Sequence, residues 1–179
     1  SVLVRTFVAQ AFYVPSSSME DTLLIQDRIL AAKLSTDLGG VNRGEIVVFT
    51  DPGGWLPDAE PEDGVSGKIR DALMFVGLLP SDTGEDLVKR VIAVGGDRIS
   101  CCDAKGRIVL NGVALNETGY IKPGNGTDQV TFDVTVPEGR IFVMGDNRGD
   151  SSDSRYHLDV ENGTVSVDSV VGRVVAVVW

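Results

Sequence analysis

Short β-branched runs, each closed off by Gly, Asn, Asp or Pro, constrain this chain more than any other feature. Runs of that length and punctuation suit strands and turns, not helices. Candidate strands fall at residues 2–14, 28–33, 45–50, 87–94, 107–110, 130–136, 140–144 and 166–178. Asn111-Gly112, between Ile108-Val109-Leu110 and Val113-Ala114-Leu115, is a strong hairpin signal, because both turn residues tolerate positive φ. Gly95-Gly96-Asp97 marks a second tight turn. The predicted architecture is mostly β.

Two stretches interrupt that pattern. Residues 51–86 are acidic and rich in Pro and Gly, which predicts a long surface loop. Inside it, residues 68–79 suit one short helix that is apolar on more than one face. Such a helix packs on the core or meets a partner or lipid, and core packing is favoured. Residues 101–135 hold the hairpin and the loop Lys122-Pro123-Gly124-Asn125-Gly126, and predict a small β insert. At 179 residues the chain is long enough for one domain with a real core. The expected organisation is a single domain. Its core covers about 1–50, 86–100 and 137–179, with a surface insert at 51–85 and a β insert at 101–136.

A net charge of −10 argues against a general nucleic-acid binder and against electrostatic docking on anionic lipid. Solubility explains the acidity. No run of about eighteen apolar residues, the length that spans a bilayer, is present in this sequence. The chain opens on Ser1-Val2-Leu3-Val4 without an initiator Met, and so reads as the trimmed end of something longer. Cys101 and Cys102 are adjacent, and two free thiols near a strand end are expected, with a redox switch as the alternative. No His or further Cys lies at ligand spacing, so metal binding is poorly supported. Ser-Lys chemistry needs no cofactor, because an amine does the proton transfers. Chance and turn propensity account for the three Asn-x-Ser/Thr sequons at Asn116, Asn125 and Asn162.

Chemistry concentrates in three places. Ser18 lies in Val14-Pro15-Ser16-Ser17-Ser18-Met19-Glu20, a Pro-led turn. Lys89 ends Asp86-Leu87-Val88-Lys89 and precedes Arg90-Val91-Ile92-Ala93-Val94. A serine hydroxyl needs a base during attack, and an amine desolvated by apolar neighbours is neutral often enough to serve. Strand alternation points Arg90 the other way. Lys33, Lys68, Lys105 and Lys122 sit at strand ends or in polar loops and look solvated. A Ser-His-Asp triad would have to use His157, the lone histidine, and is the weaker alternative. The third place is Gly145-Asp146-Asn147-Arg148-Gly149-Asp150-Ser151-Ser152-Asp153-Ser154-Arg155. Three acids, two arginines and three serines in these eleven residues exceed what a connector needs and suit a scaffold for a base.

Four segments in order resemble the sequence boxes of bacterial type I signal peptidases: Ser16-Ser17-Ser18-Met19-Glu20-Asp21-Thr22-Leu23; Arg43-Gly44-Glu45-Ile46-Val47-Val48-Phe49; Lys89-Arg90-Val91-Ile92-Ala93-Val94-Gly95-Gly96-Asp97; and Gly145-Asp146-Asn147-Arg148 with Ser151 and Asp153-Ser154-Arg155. Each box alone is weak, but four in order are specific. The resemblance covers about residues 7–155, with the inserts unmatched. It implies the complex β fold of signal peptidases and self-cleaving repressors, with a β insert. It also implies a Ser-Lys dyad that cuts signal peptides from exported preproteins after small residues such as Ala-x-Ala.

By the same resemblance, Ser18 is the nucleophile and Lys89 the general base. Ser16 and the Ser18 N–H form the oxyanion hole, and Ser151 orients the lysine. Asp153 and Arg155, with Arg90, form a supporting ion pair, and Asp146 belongs to the same support. Substrate pockets lie around Phe12, Val14, Pro15, Met19, Leu23, Leu87, Val88 and Val143. The substrate adds as an extended strand along the edges at 12–16 and 86–89. The implied partners are signal peptides, a membrane surface and lipid, met by Phe7, Trp55, Leu56 and Phe75, with no nucleic acid and a monomeric chain. The implied location is the extracytoplasmic face of the bacterial plasma membrane, reached through an N-terminal transmembrane anchor that this sequence lacks.

Two positions depart from the family pattern. Ser17 stands where Gly is common, and Asp21 stands where Pro usually follows Met-Glu, which predicts an altered turn after the nucleophile. The rivals are a self-cleaving Ser-Lys protease of the same superfamily and a non-catalytic β domain that binds extended peptides. The former needs an internal cleavage site ahead of Ser18 and a DNA-binding domain, neither of which is visible. A penicillin-binding enzyme is disfavoured, since no lysine follows Ser18 by three residues.

Overall fold

A computed structural model describes residues 9–32, 40–56, 86–126 and 130–178. Its larger sheet has seven antiparallel strands in the order β1-β2-β11-β3-β4-β9-β10. These are β1 (Ala9–Tyr13), β2 (Arg28–Ala32), β3 (Ile46–Thr50), β4 (Asp86–Val94), β9 (Arg140–Met144), β10 (Val165–Ser166) and β11 (Val170–Val178). A four-stranded sheet, ordered β7-β6-β5-β8, is made by β5 (Arg98–Cys101), β6 (Ile108–Leu110), β7 (Val113–Ala114) and β8 (Phe132–Thr135).

Period-two alternation explains how the sheet is covered on both sides. Along β3, Val47 and Phe49 join a cluster with Trp55, Leu87, Val91, Ile141, Val143 and Val165. Val48 between them points into a cluster with Phe12, Val14, Met19, Leu23, Ile29, Ala31 and Val88. A third cluster ties the two sheets together. Ile92, Ala93, Phe142 and Met144 of β4 and β9 pack there on Ile99, Ile108, Leu110, Phe132 and Val134 of the smaller sheet. The Phe132 and Phe142 rings lie 5.1 Å apart.

The turns obey local chemistry. Asn111 and Gly112 carry φ of 50° and 82°, the two successive left-handed conformations that a two-residue hairpin requires. At the second tight turn Asp97 is buried and accepts from Val94 N, Arg43 and Asn111 Nδ2, so the bend is locked by one carboxylate.

Several sequence expectations are corrected. The last strand does not run unbroken from residue 166, because Val167–Ser169 form a 3-10 turn capped by Ser166 Oγ, and β11 starts at Val170. Strand β5 was not among the candidates: it holds one β-branched residue, Ile99, and borrows its regularity from β6 and β8 on either side. Cys101 and Cys102 are joined as a vicinal disulfide rather than held as free thiols. The peptide between them is cis, which brings their Cα atoms to 3.0 Å. Trp55 is not an exposed membrane-facing residue. It is buried at 7% exposure, edge-on to Phe49 and stacked on His157 at 4.5 Å, and Leu56 is half-buried. Asp51 turns the chain inward there by accepting from the N–H groups of Gly53, Trp55 and Leu56. The expected helix at 68–79, together with Phe7, Phe75, Lys33 and the start of the first strand, lies outside the described residues.

Candidate active site

Pro15 closes the end of β1, and the chain turns through a 3-10 helix, Ser17–Met19, before β2. Met19 anchors this turn, being 1% exposed among Phe12, Val14 and Leu23. The turn therefore presents Ser18 towards β4, where Lys89 lies between the apolar pairs Leu87-Val88 and Val91-Ile92, with Arg90 beside it. Both side chains are buried, Ser18 at 6% and Lys89 at 2% exposure. Lys89 Nζ donates to Ser18 Oγ at 2.5 Å, and Ser16 Oγ lies 3.1 Å from Ser18 Oγ. Among the described residues, the Ser18 N–H donates to no other group.

Burial is the main force on the lysine. It pushes the Lys89 amine down from its ordinary 10.5 to about 8. The Asp153 charge opposes that shift, Arg155 adds to it, and Asp150 opposes it again. An amine at about 8 is neutral for a useful fraction of time near neutral pH, and it already touches the hydroxyl it would deprotonate. His157 is not assembled with Ser18. Its Nε2 lies 3.0 Å from Ser152 Oγ, and its ring lies on Trp55.

The 145–155 loop forms the floor. Asp153 is fully buried and accepts from Arg155 Nε and Nη2, both at 2.9 Å, from Gly145 N at 3.0 Å and from Ser151 Oγ at 2.8 Å. Burial alone would raise its carboxyl. Arg155's hydrogen bonds and charge, the Gly145 N–H and the Ser151 hydroxyl outweigh burial and hold it below 3.8. Ser151 thus spends its proton on Asp153, which leaves its lone pairs to accept.

Arg90 does not join the Asp153–Arg155 pair. It makes a two-pronged bond to Asp146, at 2.8 and 2.6 Å, lies 4.3 Å over the Tyr120 ring and donates to Gly44 O. The reason is the alternation noted above: Arg90 leaves β4 on the face opposite to Lys89. Asp146 also accepts from Thr22 Oγ1 at 2.6 Å, which pins the chain just after Ser18.

The eight expected pocket residues do not form one group. Phe12, Val14, Met19, Leu23 and Val88 share a cluster, Leu87 and Val143 belong to its neighbour across the sheet, and Pro15 is exposed. Among the described residues, the two expected strand edges are both unpaired. β1 is the outer strand of its sheet, and residues 86–89 pair with β3 alone, because β9 pairs with β4 only from Arg90 onward. Asp21 has φ of 72°, a conformation closed to proline, so the turn after Ser18 differs from one with Pro there. Ser17 donates to Asp150.

Sequence reasoning missed several participants. Glu117 is buried and grips Arg148 with both oxygens, at 2.7 and 3.0 Å. Lys122 is not simply solvated, since it pairs with Glu20 at 2.6 Å. Asn147 also reaches the Ser18 turn, and Asn125 reaches Asn147. Glu117, Lys122 and Asn125 sit in a loop without apolar periodicity, so no pattern marks them. Only Asn147, inside the dense polar cluster, carried a signal.

Comparison with known proteins places this chain among peptidases. It belongs to the signal peptidase family, peptidase S26, whose match covers residues 1–179. A probable signal peptidase I of Mycobacterium leprae is 37% identical, with 99% of this chain and 71% of that protein aligned. A signal peptidase I of Mycobacterium tuberculosis is 38% identical, over 99% of this chain and 67% of that protein. A crystal structure of a signal peptidase I from Enterococcus faecalis covers 78% of this chain and 100% of its own at 24% identity, with a TM-score of 0.47.

Gly145 is where the floor meets the Ser18 turn. A Cβ there would come within 2.6 Å of Ser151 Cβ and closer still to Ser151 Oγ and Ser18 O. Gly145→Ala is expected to lower kcat/KM by about 100-fold, since small misplacements of reacting groups cost that much. It should also cost roughly 1–3 kcal/mol of stability from overpacking, read from the urea midpoint.

Proposed function

We propose that this chain cleaves signal peptides from exported preproteins after small residues of the Ala-x-Ala type, with Ser18 as nucleophile and Lys89 as general base. The observation that carries this reading is the buried 2.5 Å contact between Lys89 Nζ and Ser18 Oγ. Neutral Lys89 takes the hydroxyl proton as Ser18 Oγ bonds to the scissile carbonyl carbon. The Ser18 N–H and the Ser16 hydroxyl donate to the oxyanion of the tetrahedral intermediate. The lysine ammonium then hands its proton to the leaving amine, and the C–N bond breaks. Water attacks the resulting ester, again with Lys89 as base, which releases the signal peptide's carboxylate end and restores Ser18.

Ser151 is assigned to orient the Lys89 amine, a role that suits a hydroxyl whose own proton is held by Asp153, although the hydrogen bond that Lys89 Nζ makes among the described residues goes to Ser18 Oγ. The substrate lies extended between residues 12–16 and 86–89, where both strand edges are unpaired among the described residues. Phe12, Val14, Met19, Leu23 and Val88, which share one cluster beside Ser18, are the residues placed to wall its small-residue pockets. The work is done at the extracytoplasmic face of the bacterial plasma membrane. Family membership supports this, as do the exposed Tyr13, Leu24 and Ile25, which flank the Ser18 turn and replace Trp55 as lipid-facing candidates. Among the described residues no helix is long and apolar enough to cross a membrane.

The test is cleavage of an Ala-x-Ala preprotein in detergent, with product masses compared for the parent, Ser18→Ala and Lys89→Ala. A cut after the second Ala that disappears in both variants is the expected result. The rate should rise with pH through a midpoint near 8, because only the neutral amine is a base. A parent chain that binds the extended peptide but never cuts it would replace catalysis with peptide binding alone.

A further inference from the structure

The Ser17–Ser18 peptide group is gripped from the side opposite to the reaction. Ser17 O accepts from Glu20 N at 3.0 Å and from Asn147 Nδ2 at 3.0 Å. In a planar trans peptide the C=O and the following N–H point in opposite directions. Pinning Ser17 O therefore aims the Ser18 N–H away from Asn147, and donors on the oxygen polarise that N–H into a stronger donor. Asn147 N also donates to Ser18 O at 3.0 Å, so one residue holds both carbonyls that bracket Ser18.

Asn147 needs its own amide set the right way round. Asn125 Nδ2 donates to Asn147 Oδ1, which leaves Asn147 Nδ2 as the end facing Ser17 O. Room for this comes from Gly149: a Cβ there would sit 2.8 Å from Asn125 Oδ1 and 3.0 Å from its Cγ. The loop that carries Asn125 is itself tied to the Ser18 turn through Lys122 Nζ on Glu20, and to the 145–155 loop through Lys122 N on Asp146 O.

We propose that Asn147 and Asn125 act in series as positioning residues that orient and polarise the Ser18 N–H as an oxyanion donor. This rests on the catalytic assignment above. A loop of the smaller sheet thus tunes the transition state without touching substrate.

The test uses the full chain in detergent with an Ala-x-Ala preprotein. It adds the affinity for a peptide aldehyde, whose carbonyl carbon bonds to Ser18 Oγ and whose oxygen then occupies the oxyanion site. Asn147→Ala and Asn125→Ala should each lower kcat by about 10- to 100-fold, somewhat less than outright loss of an oxyanion donor. KM should stay within about twofold, aldehyde affinity should fall in step with kcat, and the pH midpoint near 8 should hold because Lys89 is untouched. The double variant should be no worse than Asn147→Ala. Asn125→Asp should be worse than Asn125→Ala, because a carboxylate cannot donate to Asn147 Oδ1 and would turn that amide round. A merely packing role predicts the reverse order.

Parent-like kcat in Asn125→Ala or Asn147→Ala overturns the proposal. So does a fall in which KM, aldehyde affinity and unfolding midpoint all move together. A parent chain that leaves the preprotein intact, or a Ser18→Ala variant that still cuts it, instead removes the catalytic assignment on which the proposal stands.

Discussion

Lys89→Met is expected to abolish cleavage and at the same time make the fold more stable. Loss of the base should lower kcat by about 1,000-fold or more, as for a member of any tightly coupled nucleophile–base pair. Met matches the shape of the lysine stem and carries no charge to bury. The stability change follows from the proton linkage. The amine titrates at 10.5 when exposed and at about 8 in the folded chain, a difference of about 2.5. At 1.36 kcal/mol for each pKa unit, the folded state bears a penalty of roughly 3 kcal/mol.

Because the folded value is the lower one, that penalty is fully present below pH 8. It fades as pH rises from 8 to 10.5 and is gone above that range. Lys89→Met should therefore exceed the parent in urea-unfolding free energy by up to roughly 3 kcal/mol at pH 7, and the two should converge towards pH 10.5. A variant that is less stable than the parent at pH 7 would show that the lysine contributes more through its contacts than its burial costs.

Asp153→Ala is expected to cost roughly 3–5 kcal/mol, the usual result of stripping the partner from a buried charge. Arg155 is 1% exposed, and its Nη1 already lacks a partner among the described residues. Without Asp153 its Nε would also go unmatched, as would Gly145 N and the Ser151 hydroxyl. Natural domains are stable by only about 5–15 kcal/mol, so this loss takes a large share and shows directly in the urea midpoint. The parent's Asp153 carboxyl lies below 3.8, so its stabilisation is present above pH 3.8 and lost as pH falls through the lower folded value. Asp153→Asn keeps the side-chain shape while removing the charge. The pH of the rate midpoint then reads the effect on Lys89 apart from the stability loss that the unbalanced Arg155 brings. The Asp153 charge raises the Lys89 value, so its removal should move the rate midpoint below pH 8.

How much of this was legible beforehand depends on the range of the interaction. The Asn111-Gly112 hairpin and the Asp97 turn were readable because a few neighbouring residues decide their backbone angles. Strand β5 was not, because its regularity comes from β6 and β8 rather than from its own residues. Trp55 looked like a surface residue in a polar loop, yet Asp51 folds it back onto Phe49 and His157. Arg90 was expected beside Asp153, and strand alternation sends it to Asp146.

By itself, the sequence determined the β architecture, the family, and which serine and which lysine to compare, since those rest on local propensity and on residue order. Tertiary structure alone decided that Lys89 is buried deeply enough to titrate near 8, and that its nitrogen reaches Ser18 Oγ. It alone decided that Asn125, from a loop without any pattern, reaches Asn147 and through it the Ser18 peptide. Desolvation and hydrogen-bond direction are set by atoms far apart in the chain, and spacing along a sequence carries no record of them.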